Sequence, residues 1–324
     1  MQNTVYLSKV HDPYHNLALE SLLFDAQGPG CTLYLWQNQN TVVIGKNQNA
    51  WKECRISLLE QEDGRLARRS SGGGAVFHDL GNLNFTFLMP RGEYDVKRQL
   101  SVIQKAAASF GIETDFTGRN DLVVRESGAK FSGNAFRFTN DTAMHHGTVL
   151  INVDMQKLAR YLAPSPDKLA AKGIESVRAR VQNLAELNPA LTIESMKEAL
   201  LEAFIKTYGP ARVGQEFALN TERLADATAQ YASWEWRMGR TPSFDIVLEQ
   251  RFSWGGVEMQ LSLSKGHIVD AKVYSDAMDE AFIERIAPVL LCCPFRSCDI
   301  AERLRALRHP QAGELADWIT EKGF

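Results

Sequence analysis

Three consecutive glycines set between paired cations and a short apolar run constrain this chain more than any other feature. The stretch reads Arg68-Arg69-Ser70-Ser71-Gly72-Gly73-Gly74-Ala75-Val76-Phe77-His78. Glycines let a backbone approach a ligand closely and aim successive N–H groups at an anion. Neither common phosphate loop fits. A Walker loop needs Gly-Lys-Ser/Thr after its glycines, and a dinucleotide fingerprint needs glycine where Phe77 stands. A flexible hinge is the plain alternative for an isolated glycine triplet, but the preceding Arg-Arg-Ser-Ser favours anion binding without naming the anion.

A second cluster runs from Gly118-Arg119-Asn120-Asp121 to Lys130-Phe131-Ser132-Gly133-Asn134-Ala135-Phe136-Arg137. A lysine on a half-buried strand is unusual, because burying an ammonium without a partner is expensive; an anion would relieve that cost. In an unbroken strand Lys130, Ser132 and Asn134 share one face and Arg137 takes the other. Joint action of Lys130 and Arg137 therefore needs a bulge, which Gly133 could supply. On spacing alone an exposed edge lysine reads equally well, and Asp121 reads as a hard-cation ligand or a turn residue. The third element is the stretch 163–183, with Pro164, Pro166, Gly173, Lys168, Lys172, Arg178 and Arg180 and little apolar periodicity. It reads as a long loop, either a solvated charge run or a lid over an anionic substrate.

Around these clusters helical and strand periods are mixed. Residues 17–24 predict a helix capped by Asn16, and Thr32–Trp36 and Thr41–Ile44 predict strands joined as a hairpin through residues 37–40. Leu83, Phe85 and Phe87 alternate with Asn84 and Thr86, which predicts a strand with one core face and one polar face. Residues 96–110 predict a helix ended by Gly111, and strands over 121–125, 130–138 and 148–153 predict a mixed sheet. A helix over 193–204 follows. A meander over 257–263 and 268–274, turning at Lys265-Gly266 and followed by helices, marks off a small α+β domain at 245–324 from a larger one at 1–244. The 324 residues suit two such domains, and 44% apolar with 23% charged residues excludes a disordered, collagen-like or coiled-coil chain. With 36 basic against 39 acidic residues the balance is −3, too little positive field for polynucleotide. The chain has neither a basic leader nor ~18 uninterrupted apolar residues, so a soluble cytoplasmic protein is expected. Five cysteines without a CxxC pair read as reduced thiols, and adjacent His145 and His146 should face opposite sides of a strand rather than share a metal.

The segment Arg65-Leu66-Ala67-Arg68-Arg69-Ser70-Ser71-Gly72-Gly73-Gly74-Ala75-Val76-Phe77-His78-Asp79-Leu80-Gly81-Asn82 resembles the lipoate-binding segment of bacterial lipoate-protein ligases, within the lipoate/biotin protein ligase superfamily. Asp12-Pro13, Trp36 with Thr41-Val42-Val43-Ile44-Gly45, Gly118-Arg119-Asn120-Asp121, Lys130 to Arg137, His145-His146-Gly147-Thr148 and Ala170-Ala171-Lys172-Gly173-Ile174 follow in family order. The resemblance implies an α+β fold: a large mixed-sheet catalytic domain of the biotin/lipoate protein ligase type and a small α+β C-terminal accessory domain. It implies a two-step reaction, in which lipoate and ATP give lipoyl-AMP and pyrophosphate and the lipoyl group passes to a lysine of an acceptor domain. The chemistry is consistent with the residues, because a carboxylate needs a phosphate leaving group before an amine can displace it, and joining two anions calls for fixed cations.

By this resemblance Lys130 is catalytic, bridging the lipoate carboxyl and the α-phosphate. Arg69, Gly74, Ala75, Val76, Phe77, Lys130 and Lys172 bind ATP, and Trp36, Arg69, Ser70, Gly73, His78, Lys130 and Arg137 bind lipoate, with Trp36 and His78 walling an apolar tunnel. Asp121 is the Mg²⁺ contact, and the 163–183 loop folds over the adenylate. ATP and Mg²⁺ are thus needed, without a prosthetic group. The implied acceptors are lipoyl domains of 2-oxoacid dehydrogenase complexes and the glycine cleavage H protein; nucleic acid and membrane are not partners, and the protein is a monomer. An octanoyltransferase on the same fold needs a cysteine at the acyl site, yet no cysteine occurs between Arg65 and Leu291. A biotin-protein ligase matches the Arg-Arg-Ser-Ser-Gly-Gly-Gly segment less well, and a non-catalytic lipoate- or nucleotide-binding module is disfavoured by the retained Lys130.

Overall fold

The computed structural model describes residues 3–48, 50–117, 121–162, 181–214, 221–238, 246–264 and 267–322. The chain divides into two compact units, one of Met1–Ile44, Ala50–Ser70 and Ala75–Arg237, the other of Gly45–Asn49, Ser71–Gly74 and Met238–Phe324. The boundary expected near residue 245 falls within 239–245, outside the described residues.

The first unit holds strands β1 (Asn3–Leu7), β2 (Thr32–Trp36), β3 (Thr41–Ile44), β4 (Arg65–Arg68), β5 (Val76–His78), β6 (Asn82–Pro90), β7 (Thr114–Thr117), β8 (Asp121–Val124), β9 (Lys130–Phe138), β10 (Thr142–Leu150) and β11 (Ala211–Val213). Eight of them form a sheet in the order β11-β1-β2-β6-β10-β9-β8-β7, and β4-β3-β5 form a smaller one. β1 is parallel to both of its neighbours while β6, β10 and β9 are antiparallel, so the large sheet is mixed, as the sequence predicts. Its helices are α1 (Pro13–Asp25), α2 (Ala50–Glu53), α3 (Ile56–Gln61), α4 (Val96–Ala108), α5 (Met155–Tyr161), α6 (Ile193–Tyr208), α7 (Thr221–Ala232) and α8 (Trp234–Arg237).

One face of the large sheet, with Leu33, Leu35, Phe85 and Phe87, packs on Leu100 and Ile103 of α4 and Leu200 and Phe204 of α6. The other face, with Tyr34, Trp36, Leu88 and Met144, packs on Leu17, Leu19 and Phe24 of α1 and Tyr231 of α7. Gly111 has the left-handed φ of +77° expected where α4 gives way to the next strand.

Three expectations change. The cap of α1 is Asp12, whose side chain accepts from the amides of Tyr14 and His15; Pro13 suits the first turn, so the helix starts before Asn16. β2 and β3 lie in different sheets rather than in one hairpin, because Gln37 and Asn38 between them are 7% and 0% exposed and cross the interior. The strand expected at 148–153 is the end of β10, which begins at Thr142 and carries His145 and His146 to opposite faces, as period two requires.

In the second unit β12 (Ile246–Phe252), β13 (Gly255–Ser264) and β14 (His267–Ser275) form the expected antiparallel meander, with one strand more than the two expected. Helices α9 (Glu280–Leu290), α10 (Ser297–Arg305) and α11 (Pro310–Lys322) complete the unit, burying Ile286, Leu304 and Ile319 against Met259 and Leu261. The glycine loop is part of this unit. Gly73 N donates to Ala277 O at 3.2 Å, Lys46 N to Ser71 O at 2.8 Å, and Lys46 pairs with Glu284 at 2.6 Å. A Cβ on Gly72 would lie 2.5 Å from Ala277 O, so this approach excludes any side chain there.

Candidate active site

A break in the register of β8 and β9 sets the position of Lys130. Leu122 pairs with Ser132 but Val123 pairs with Lys130, leaving Phe131 as the extra residue of a bulge. The bulge expected at Gly133 thus lies two positions earlier. Its effect on parity is the expected one. Phe131 turns into the core beneath α4 and α6, while Lys130 extends over Gly133, where an added Cβ would meet its Cε and Nζ at 2.9 Å. Arg137 lies opposite Met144 on that same face, so both cations serve one side of the sheet.

Lys130 Nζ pairs with Asp121 Oδ1 at 2.7 Å, the two side chains being 33% and 37% exposed. An ion pair this wet contributes under about 1 kcal/mol, so the ammonium can leave Asp121 for a ligand anion at little cost. Arg137 stacks its guanidinium 4.2 Å over the Phe24 ring and donates to Ser70 Oγ at 3.4 Å. Arg69 is buried and donates to Val43 O at 3.2 Å, whereas Arg68 is directed to the carbonyls of Trp236 and Arg237 in α8. Of the two cations before the glycines, Arg68 therefore holds an element in place.

Trp36 and His78 meet as neighbouring walls, His78 edge-on at 6.1 Å between ring centroids. Two buried polar chains hold them. Trp36 Nε1 donates to Thr86 Oγ1 at 3.1 Å, and Thr86 Oγ1 donates to Glu20 Oε1 at 2.6 Å, which also meets His146 Nδ1 at 2.8 Å. On the other side Ser8 and Tyr34 hydroxyls donate to Asn16 Oδ1, Asn16 Nδ2 reaches Asn38 Oδ1 at 3.0 Å, and Asn38 Nδ2 reaches His78 Nδ1 at 3.2 Å. Burial, then the charges of Arg69 and His146, lower the His78 pKa to about 3, so its imidazole is neutral. His78 Nε2 is enclosed without a hydrogen-bond partner, a state that costs about 1–3 kcal/mol.

These chains contain buried polar side chains to which the sequence reading gave no place in the site: Glu20, Thr86, His146, Asn16 and Asn38. A signal existed in the polar alternation of Asn82, Asn84 and Thr86, which is the site-side face of β6 and is buried, and in a carboxylate set among the apolar residues of α1.

Phe77 is buried against Tyr161, with ring centroids 5.5 Å apart. Ala75 precedes β5, which among the described residues pairs only with β3 and is the edge of its sheet. Gly73 and Gly74 belong to the second unit, Arg69, Ser70 and Ala75 to His78 to the first. Gly118, Arg119, Asn120, Lys168, Lys172, Arg178 and Arg180 lie outside the described residues. The chain that follows 163–180 is described, and Gln182 N donates to Lys130 O at 2.9 Å.

Among the described residues no three His, Cys, Asp or Glu side chains gather as a metal cluster. Asp121 nevertheless suits Mg²⁺ in the way nucleotide enzymes use it, with one carboxylate and phosphate oxygens completing the shell. The two thiols of the first unit do not suit nucleophilic catalysis: burial and the Glu60 charge push Cys54 up to about 12, and burial raises Cys31 as well. No helix among the described residues is long and apolar enough to cross a membrane.

Residues 12–205 match the family model described as the lipoyl protein ligase A/B catalytic domain, and residues 241–319 match that of the bacterial lipoate protein ligase C-terminus. Among solved structures, the LipL1 protein of P. falciparum in complex with lipoate is 29% identical, with 98% of this chain and 99% of that one covered and a TM-score of 0.87. A bipartite lipoate protein ligase of Thermoplasma acidophilum, studied with its E2 lipoyl domain, is 22% identical over 76% of this chain and 100% of its own, with a TM-score of 0.65. A lipoate-protein ligase A bound with ATP is 21% identical over 74% of this chain and 99% of its own, with a TM-score of 0.62.

Proposed function

That this chain belongs to the lipoyl protein ligase A/B catalytic-domain family is the premise from which we propose that it activates free lipoate with ATP and transfers the lipoyl group to a lysine of acceptor lipoyl domains. The observation that carries the reading is the β9 bulge, which puts Lys130 and Arg137 on the same face of the sheet as Trp36. In the first step a lipoate carboxylate oxygen attacks the α-phosphorus, pyrophosphate leaves with the bonding electrons, and Lys130, released from Asp121, stabilises the charge that grows on the α-phosphate oxygens. Arg69 adds fixed positive charge from its buried position. The open edge of β5, with Ala75 before it, offers backbone groups to the adenine, and Phe77 backs that edge. Bound Mg²⁺, held by Asp121 and the phosphates, would further neutralise the triphosphate.

In the second step the neutral amine of the acceptor lysine attacks the acyl carbon and AMP leaves. Trp36 and His78 enclose the acyl chain, and Ser70 and Arg137 line its carboxyl end. Exclusion of water protects the labile mixed anhydride between the two steps. The acceptors are E2 lipoyl domains of 2-oxoacid dehydrogenases and the glycine cleavage H protein, and the protein acts as a monomer in the cytoplasm, in two domains divided near residue 245. Incubation with lipoate, ATP and Mg²⁺ should yield lipoyl-AMP and pyrophosphate, and Lys130→Ala should lower that rate about 10²- to 10³-fold, the usual effect of one preorganised donor. A variant within threefold of the parent would remove Lys130 from the chemistry; an inactive parent would remove the reading.

A further inference from the structure

The hydrogen-bond chain behind His78 determines which of its nitrogens carries the proton. Asn16 can be oriented in one way only: its Nδ2 faces the backbone carbonyls of Val10 at 2.9 Å and Gln37 at 2.8 Å, and carbonyls only accept. The hydroxyls of Ser8 and Tyr34 then donate to Oδ1. Asn16 Nδ2 carries two N–H groups, shared among those two carbonyls and Asn38 Oδ1 at 3.0 Å; turning the Asn38 amide over would set one NH₂ against another, so Asn38 presents its Nδ2 to His78 Nδ1. A donor facing Nδ1 requires a lone pair there. The neutral ring is therefore the Nε2–H tautomer, and that N–H is the enclosed group for which the described residues provide no acceptor.

Resting on the proposed function, we infer that His78 Nε2–H is a specificity element that reads the sulfur of the dithiolane and so favours lipoate over the straight-chain eight-carbon acid. Apolar walls such as Trp36 hold the two acids almost equally, since each offers hydrocarbon of similar length. A fixed buried donor does not. A ring disulfide sulfur is a weak acceptor that pairs with it, whereas a methylene leaves it unpaired.

The test compares kcat/KM for acyl-AMP formation from lipoate and from octanoate, in the parent, in His78→Leu and in Asn38→Asp. The aspartate accepts where the amide donated, so it places a proton on Nδ1; the neutral ring then has a lone pair at Nε2, and the nitrogen-15 spectrum of this variant verifies that Nε2 has lost its proton. Both variants should lower the lipoate-to-octanoate ratio by about three- to tenfold, the range of one neutral hydrogen bond. An unchanged ratio, with both acids losing equally, overturns the inference. Nitrogen-15 NMR of the His78 ring in the parent adds a readout independent of turnover: a lone-pair resonance at Nδ1 and a protonated Nε2, the latter moved by lipoate and not by octanoate, are expected. The opposite tautomer, or equal shifts with both acids, overturns it. A parent that forms no acyl-AMP from either acid defeats the function reading instead, and the NMR titration still decides the inference.

Discussion

Position 133 shows how far a single missing side chain governs the site. The Lys130 ammonium lies where the Cβ of any other residue at 133 would be, 2.9 Å away, so Gly133→Ala must move the cation. The clash is with the far end of a flexible chain, and the backbone need not shift. We expect stability within about 1 kcal/mol of the parent, as for most changes that create no core defect. Adenylation should nevertheless fall about 10- to 100-fold, because misplacing a catalytic group by about 1 Å costs that much. Pyrophosphate release and thermal unfolding check the two halves, and a parent-like rate would mean that Lys130 acts from elsewhere. At this scale the sequence was informative. Lys130, Arg69, His78 and Trp36 belong to recognisable strings, whereas Glu20 and Asn16 are single polar residues in an apolar helix whose partners come from β6, β10 and the chain after β2.

Helix α1 separates capping from site support. Asp12 caps it through the Tyr14 and His15 amides, and its other oxygen pairs with Arg65. Asn16, which composition alone suggests as the cap, is 0% exposed and is the junction of the chain leading to His78. Asp12→Ala should cost about 1–2 kcal/mol, the usual value of a lost cap. Asn16→Ala should cost more, since each buried partner left unsatisfied adds about 1–3 kcal/mol. Urea unfolding of the two variants gives the order, and the reverse order would mean that the buried chain through Asn16 contributes less than the Asp12 cap. The need for a β9 bulge was legible but its place was not: parity demanded an irregularity between Lys130 and Arg137, Gly133 was the expected residue, and only pairing with β8 assigned it to Phe131.

Taken as one folding unit, the first domain keeps two buried histidines uncharged, and this links its stability to pH. Burial first, and His146 next, hold His145 at about 3, and His78 is likewise held at about 3. Unfolded histidine takes up its proton near pH 6.5. The unfolded state therefore binds more protons than the native one between about pH 6.5 and 3, and stability falls as pH falls through that window, by at most about 1.4 kcal/mol per pH unit for each histidine. Unfolding free energies at pH 7 and pH 5 should show the loss, and His145→Gln, which removes one titrating ring, should flatten the slope; an unchanged slope would assign the acid sensitivity elsewhere. The chain's local order was enough to specify a mixed α+β fold, a C-terminal meander with helices, and a cationic glycine-rich segment with a strand lysine, because period, glycine runs and turn residues act between near neighbours. Which strands share a sheet, which residue forms the bulge, which nitrogen of His78 holds its proton and which unit carries the glycine loop depend on pairings between residues tens to hundreds of positions apart. Those pairings are set by register and close packing in three dimensions, which no local pattern encodes.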